Sequence, residues 1–182
     1  MHIRVKLAVA VAVTGAMAVA GTAAVAGGGS KQFRASLDGY QEVPVVSTTG
    51  HGSFRATVTQ SGDGFAYRLS YAALEGNVLQ AHIHLGQPAV NGGISVFLCS
   101  NLGNGPAGTQ ACPPPPATVT GTIDAADVIG PAGQGIAPGE LAELLRAMRA
   151  GVTYANVHSS LFNGGEIRGQ IRSGGGRDHD DD

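Results

Sequence analysis

From Gln32 onward the chain alternates apolar and polar residues over short runs. Phe54, Ala56 and Val58 alternate with Ser53, Arg55, Thr57 and Thr59, and Phe65, Tyr67, Leu69 and Tyr71 alternate with Ala66, Arg68 and Ser70. A period of two places one set on a buried sheet face and the other in water. Ser61-Gly62-Asp63-Gly64 separates the two runs and predicts a hairpin with Arg55 and Arg68 turned outward. Comparable runs predict strands over 32–37, 78–85, 94–99, 117–123, 152–158 and 166–172. About eight short strands with turn signals between them predict an all-β Greek-key sandwich or barrel. One segment, 138–150, breaks the pattern: Leu141, Leu144, Leu145 and Met148 recur at helical spacing, with Pro138 before them and Gly151 just past the end. Glu140 and Glu143 come early and Arg146 and Arg149 late, which suits the helix dipole, so a short helix should cover one end or edge of the sheets.

The 182 residues, 43% hydrophobic and 13% charged, suit one domain with a real core. Residues 1–26 read as a secretory signal peptide. Arg4 and Lys6 form a positive start, 7–20 is almost wholly apolar, and Ala24-Val25-Ala26 is a cleavage triplet. The rival is an uncleaved anchor, since 7–26 approaches the roughly 20 residues that span a bilayer; no later stretch does. Removing Arg4 and Lys6 takes the formal charge from -2 to about -4, which concerns solubility rather than a partner. With 11 Lys plus Arg and no cluster of them in sequence, nucleic acid is not the expected ligand. Export, extracellular or periplasmic, places Cys99 and Cys112 where paired thiols oxidise, so they should form a disulfide across a Gly-, Asn- and Pro-rich loop. Pro113 to Pro116 reads as a stiff extended spacer, and 173–182, ending in Asp178-His179-Asp180-Asp181-Asp182, as a disordered acidic tail.

The chemistry lies with the histidines. In Ala81-His82-Ile83-His84-Leu85 both imidazoles fall on one face, about 6.6 Å apart along the strand, with Ala81, Ile83 and Leu85 on the core side. Ala155 and Val157 likewise turn inward and Tyr154, Asn156 and His158 the other way. Across the connection 159–165, the simplest antiparallel register sets His158 opposite Glu166, Asn156 opposite Arg168 and Tyr154 opposite Gln170, on one polar face open to a ligand. A slip by one residue would turn one of these sets to the core. With the His82 strand alongside, His82, His84 and His158 make a nitrogen site for copper or zinc, with Glu166 ligating or hydrogen-bonded to a ligating ring. The competing expectation is surface histidines bonded to Glu166 or to loop carbonyls. His51, between Gly50 and Gly52, is either a fourth ligand or a turn residue. No G-x-S-x-G, H-E-x-x-H, Walker or dinucleotide motif is present. Ser159 and Ser160 make no triad with His158, because strand neighbours point to opposite sides. Glu42 and Glu166 are acid/base candidates whose separation the sequence does not fix, and the balance leans away from an enzyme.

Leu37-Asp38-Gly39-Tyr40-Gln41-Glu42-Val43-Pro44, Ala81-His82-Ile83-His84-Leu85-Gly86 with Asn91-Gly92-Gly93, and Tyr154-Ala155-Asn156-Val157-His158 with Gly164-Gly165-Glu166-Ile167-Arg168-Gly169-Gln170-Ile171 together resemble the CHRD domain. That module is repeated in chordin and found singly in secreted bacterial proteins. The resemblance spans 32–172 and implies an extracellular, immunoglobulin-like β-sandwich. It implies no established activity and no transferable ligand, since this chain lacks the cysteine-rich modules that accompany the chordin repeats. The H-x-H strand and later His158 are also remotely similar to copper/zinc superoxide dismutases, although the spacing of the other histidines departs from them. The expectation is a secreted, non-enzymatic module that binds a protein, a glycan or the cell surface. The alternative is a copper- or zinc-binding protein using the three histidines.

Overall fold

The computed structural model describes residues 31–174, so the segment expected as a leader and most of the one expected as an acidic tail lie outside the described residues. Nine strands form: β1 (Gln32–Asp38), β2 (His51–Val58), β3 (Gly64–Ala72), β4 (Val78–Leu85), β5 (Gly93–Ser100), β6 (Ala117–Asp124), β7 (Thr153–Ser159), β8 (Ile167–Gln170) and β9 (Arg172–Ser173). One α-helix, α1 (Leu141–Arg149), joins them. Alternation is strictest in β1, β2 and β3, where Phe33, Leu37, Phe54, Phe65, Leu69 and Tyr71 are buried and Arg34, Arg55 and Arg68 exposed. The β2–β3 turn follows its chemistry. Gly62 takes φ +78, and the Asp63 carboxylate accepts hydrogen bonds from the Thr59 hydroxyl at 2.7 Å and the Ser61 hydroxyl at 2.6 Å.

Pairing is antiparallel and runs through a single sheet in the order β5-β4-β7-β8-β1-β2-β3-β6, with β9 beside β1. The expected all-β class holds, and the strands make one curved sheet, nearly closed into a barrel. Its two ends are fastened across the gap: the Tyr67 hydroxyl of β3 donates to the Leu98 carbonyl of β5 at 2.6 Å, and the Ile129 amide beyond β6 donates to the Ser95 carbonyl at 2.9 Å. The Cys99–Cys112 disulfide ties β5 to the segment that leads into β6. The expected helix forms over a shorter span, with Leu141, Leu144, Leu145 and Met148 all buried. It ends where Gly151 adopts φ +70. The expected strand 166–172 is divided: Ile171 donates to the Thr153 carbonyl, whereas Arg172 pairs with Arg34 of β1.

Two strands depart from alternation, and they position the site. Every residue of β7 is buried, and in β4 the residues from Ala81 to His84 are buried on both faces. Ala81, Ile83, Ala155 and Val157 face the apolar core as expected. The opposite side of both strands, expected as an open polar surface, is covered by the loops 39–50, 86–92 and 160–166.

Candidate metal centre

Strands β4 and β7 pair with Ala81 opposite Val157 and His82 opposite Asn156, while Gln80 faces His158, so alternate residues bring His82, His84 and His158 to the same side. Each ring offers one nitrogen, all within 4.8 Å of one another, and exposures are 0% for His82 and 7% for both His84 and His158. Backbone carbonyls fix two of the rings. His84 Nδ1–H donates to the Gly92 carbonyl and His158 Nδ1–H to the Asn163 carbonyl, each at 2.9 Å. A ring that donates from Nδ1 keeps its lone pair on Nε2, and such second hydrogen bonds orient metal-ligating imidazoles. His158 Nε2 lies 3.1 Å from His82 Nδ1, which also suits two ligands of one ion, since nitrogens bound tetrahedrally at 2.0–2.1 Å sit about 3.3 Å apart. On that arrangement His82 would ligate through Nδ1 and His84 and His158 through Nε2, and His84 Nε2 is buried without a hydrogen-bond partner. Leaving such an atom unmet costs roughly 1–3 kcal/mol, so an all-nitrogen donor set of this kind fits zinc or copper.

Burial makes these rings poor bases. It is the first cause that pushes His82 down to about 2 and His84 to about 4, and it lowers His158 as well. Neighbouring imidazoles add repulsion to His82. The rings therefore stay neutral at physiological pH, the state that ligates a metal.

A polar layer lies over the cluster. Tyr154 stacks flat on His84 with centroids 4.8 Å apart, and the Arg168 guanidinium lies 3.4 Å from the Tyr154 ring centroid. Arg168 donates to the carbonyls of Val90 at 2.9 Å and Gln87 at 3.2 Å and to the Asn91 side chain at 3.3 Å, while Asn91 donates to the Val43 carbonyl at 2.8 Å. Gln170 donates to the carbonyls of Gly86 and Gly151, both at 2.9 Å. The expected register holds for Tyr154 with Gln170 and Asn156 with Arg168. Tyr154, Asn156, Glu166 and Arg168 are nevertheless buried, which corrects the expected open binding face: they hold down the covering loops.

Glu166 is the clearest correction. Its carboxylate accepts from the Thr48 hydroxyl at 2.8 Å and the Glu75 amide at 2.6 Å, binding two loops together, and no imidazole is bonded to it. Glu42 is the carboxyl group that reaches the layer. It is buried, faces Arg168 and interacts with Asn156, which also interacts with His84. Burial raises the Glu42 pKa to about 7 against the lowering pull of Arg168. Gly165, at φ +132, leaves room for it, as a Cβ there would collide with the carboxylate. A hollow of about 250 Å³ between Tyr40 and Pro88 reaches Glu42 and Arg168 from outside. His51 is the exposed first residue of β2, paired with Asp38 and Ala72; it bonds the Thr49 carbonyl and stands outside the cluster, neither a fourth ligand within it nor a turn residue.

The CHRD domain family model matches residues 33–171. The chain belongs to the CHRD domain family. No curated protein and no solved structure matches it. The three segments that carry the likeness build the site of this CHRD domain. The first supplies Glu42, the second His82, His84, Asn91 and Gly92, and the third Tyr154, His158 and Arg168. Among the described residues no helix is long and apolar enough to cross a membrane.

Proposed function

We propose that this CHRD domain is an exported, non-enzymatic module that holds a copper or zinc ion on His82, His84 and His158. The observation that carries the reading is the convergence of carbonyl-fixed rings: Gly92 and Asn163 orient His84 and His158, His84 Nε2 meets no partner, and His82 Nδ1 stands 3.1 Å from His158 Nε2. A bound ion would be a Lewis acid or, as copper, an electron carrier. The residues around it exclude water, keep the rings neutral and close the cleft. Glu42 and Arg168 balance charge near the ion, a better position for Glu42 than for Glu166.

Export is supported by the Cys99–Cys112 disulfide and by the leader pattern of 1–26, with the mature domain over 32–172 and an acidic tail over 173–182. The Greek-key, immunoglobulin-like sandwich belongs to the same reading: the β4–β5 pair crosses the sheet before β6 returns beside β3, as a Greek key does. A protein, glycan or cell-surface partner is part of the proposal, since the family suggests a binding module.

Elemental analysis of protein purified without an affinity tag should find close to one copper or zinc per chain, and chelation should lower the melting temperature reversibly. His82→Ala should weaken the metal affinity at least tenfold while His51→Ala leaves it unchanged. Absence of stoichiometric metal, with no stabilisation on adding either ion, would end the metal reading and leave a binding module with a buried structural cluster.

A further inference from the structure

A row of arginines crosses the outside of the sheet on strands that do not carry His82, His84 or His158. Arg172 pairs with Arg34, Arg34 with Arg55, and Arg55 with Arg68, so four exposed guanidinium side chains stand directly opposite one another on β9, β1, β2 and β3. Thr120 of β6 continues the row. At roughly 4.8 Å per strand the arginines span about 14 Å. Like charges directly opposed across a ladder weaken it, so sheet stability does not explain the row. Beside it runs a line of hydroxyls, Ser36, Ser53, Ser70 and Thr118, in matching register. A hollow of about 700 Å³ opens over Arg34, Arg55 and Arg172.

We propose that this face binds an anionic polysaccharide, carboxylated or sulfated, laid across the strands. Guanidinium forks meet carboxylate and sulfate oxygens in bidentate pairs, and repetition at the strand spacing suits a ligand whose charges also repeat. The hydroxyl line offers donors and acceptors to sugar hydroxyls. All aromatic residues of β1, β2 and β3 are buried, so the face lacks the stacking platform on which single-stranded nucleic acids are held. The chain as a whole is acidic, at -2, so this basic row runs against the net charge of the molecule.

Binding of the exported protein to immobilised dextran sulfate at about 0.15 M salt tests the assignment, with neutral dextran and an oligothymidine as comparison probes. The wild type should bind dextran sulfate with an affinity that falls as salt rises and should ignore neutral dextran. Arg55→Ser combined with Arg68→Ser should weaken binding at least tenfold while the metal content holds and the melting temperature stays level or rises, since the substitutions relieve repulsion. An unchanged affinity in that variant, equal binding of neutral dextran, tighter binding of oligothymidine, or no retention of the wild type would each overturn the proposal.

Discussion

Glu42 shows how far a single residue escapes a pattern-based reading. Its neighbours in sequence are loop residues, whereas its neighbours in space, Asn156, Gly165 and Arg168, come from the other end of the chain. Only the acidic group in Gln41-Glu42-Val43-Pro44 signalled it, and nothing there distinguished it from Glu166. Periodicity sets which face a residue occupies and is silent about which loop folds over that face. Because the folded-state pKa is raised to about 7 from 4.5, the unfolded chain releases this proton first. Glu42 therefore costs the fold stability increasingly between pH 4.5 and 7 and by a constant amount above that. Glu42→Gln should raise stability at pH 8, by on the order of 2 kcal/mol, and have a much smaller effect near pH 4.5. Denaturant titrations at the two pH values check this, and an equal effect at both would remove the buried acid from the picture.

At the scale of elements, the strands were legible where one face meets water and less so where neither does. Arg34, Arg55 and Arg68 mark the outward positions of β1 to β3, so the period of two delimits those strands well. In β4 and β7 the same period correctly separates Ala81, Ile83, Ala155 and Val157 from the histidines, yet polarity there signals a buried site rather than a surface. The arginine row was invisible for a related reason: single arginines scattered from 34 to 172 become a cluster only through strand order. The disulfide was legible because two cysteines behind a leader-like pattern leave one pairing, and its mechanical role follows from the sheet. It closes 13 positions of loop beside the gap between β5 and β6. Cys99→Ala with Cys112→Ala should cost about 3 kcal/mol in equilibrium unfolding, the loop-closure value for that length. In α1, Leu144 is fully buried among core side chains, and Leu144→Ala should cost roughly 2–5 kcal/mol by thermal or urea unfolding.

The histidine cluster ties the behaviour of the whole molecule to pH. In the unfolded chain each imidazole accepts a proton near 6.5, whereas the fold holds His82 at about 2 and His84 at about 4 and lowers His158. Between pH 6.5 and 4 the unfolded state thus binds more protons at these three positions, and stability falls as the solution is acidified. Glu42 opposes this over the same interval, since the folded state already carries its proton, but it is one group against three. Because β4 and β7 lie next to each other within the continuous sheet, with β5 and β8 on either side, protonation there should unfold the domain cooperatively rather than fray an edge. Metal-free protein should therefore be most stable near neutrality, with a melting temperature that drops steadily below pH 6.5. Protein loaded with zinc should melt higher at pH 7, by an increment that grows with free ion as about 2.7 kcal/mol at a hundredfold excess over Kd. It should also lose that advantage more steeply on acidification, because ion and protons compete for the same lone pairs. Calorimetry of the two forms across that range checks both slopes. Parallel curves would mean the ion binds elsewhere, and a flat metal-free curve would mean the imidazoles are not held neutral by the fold.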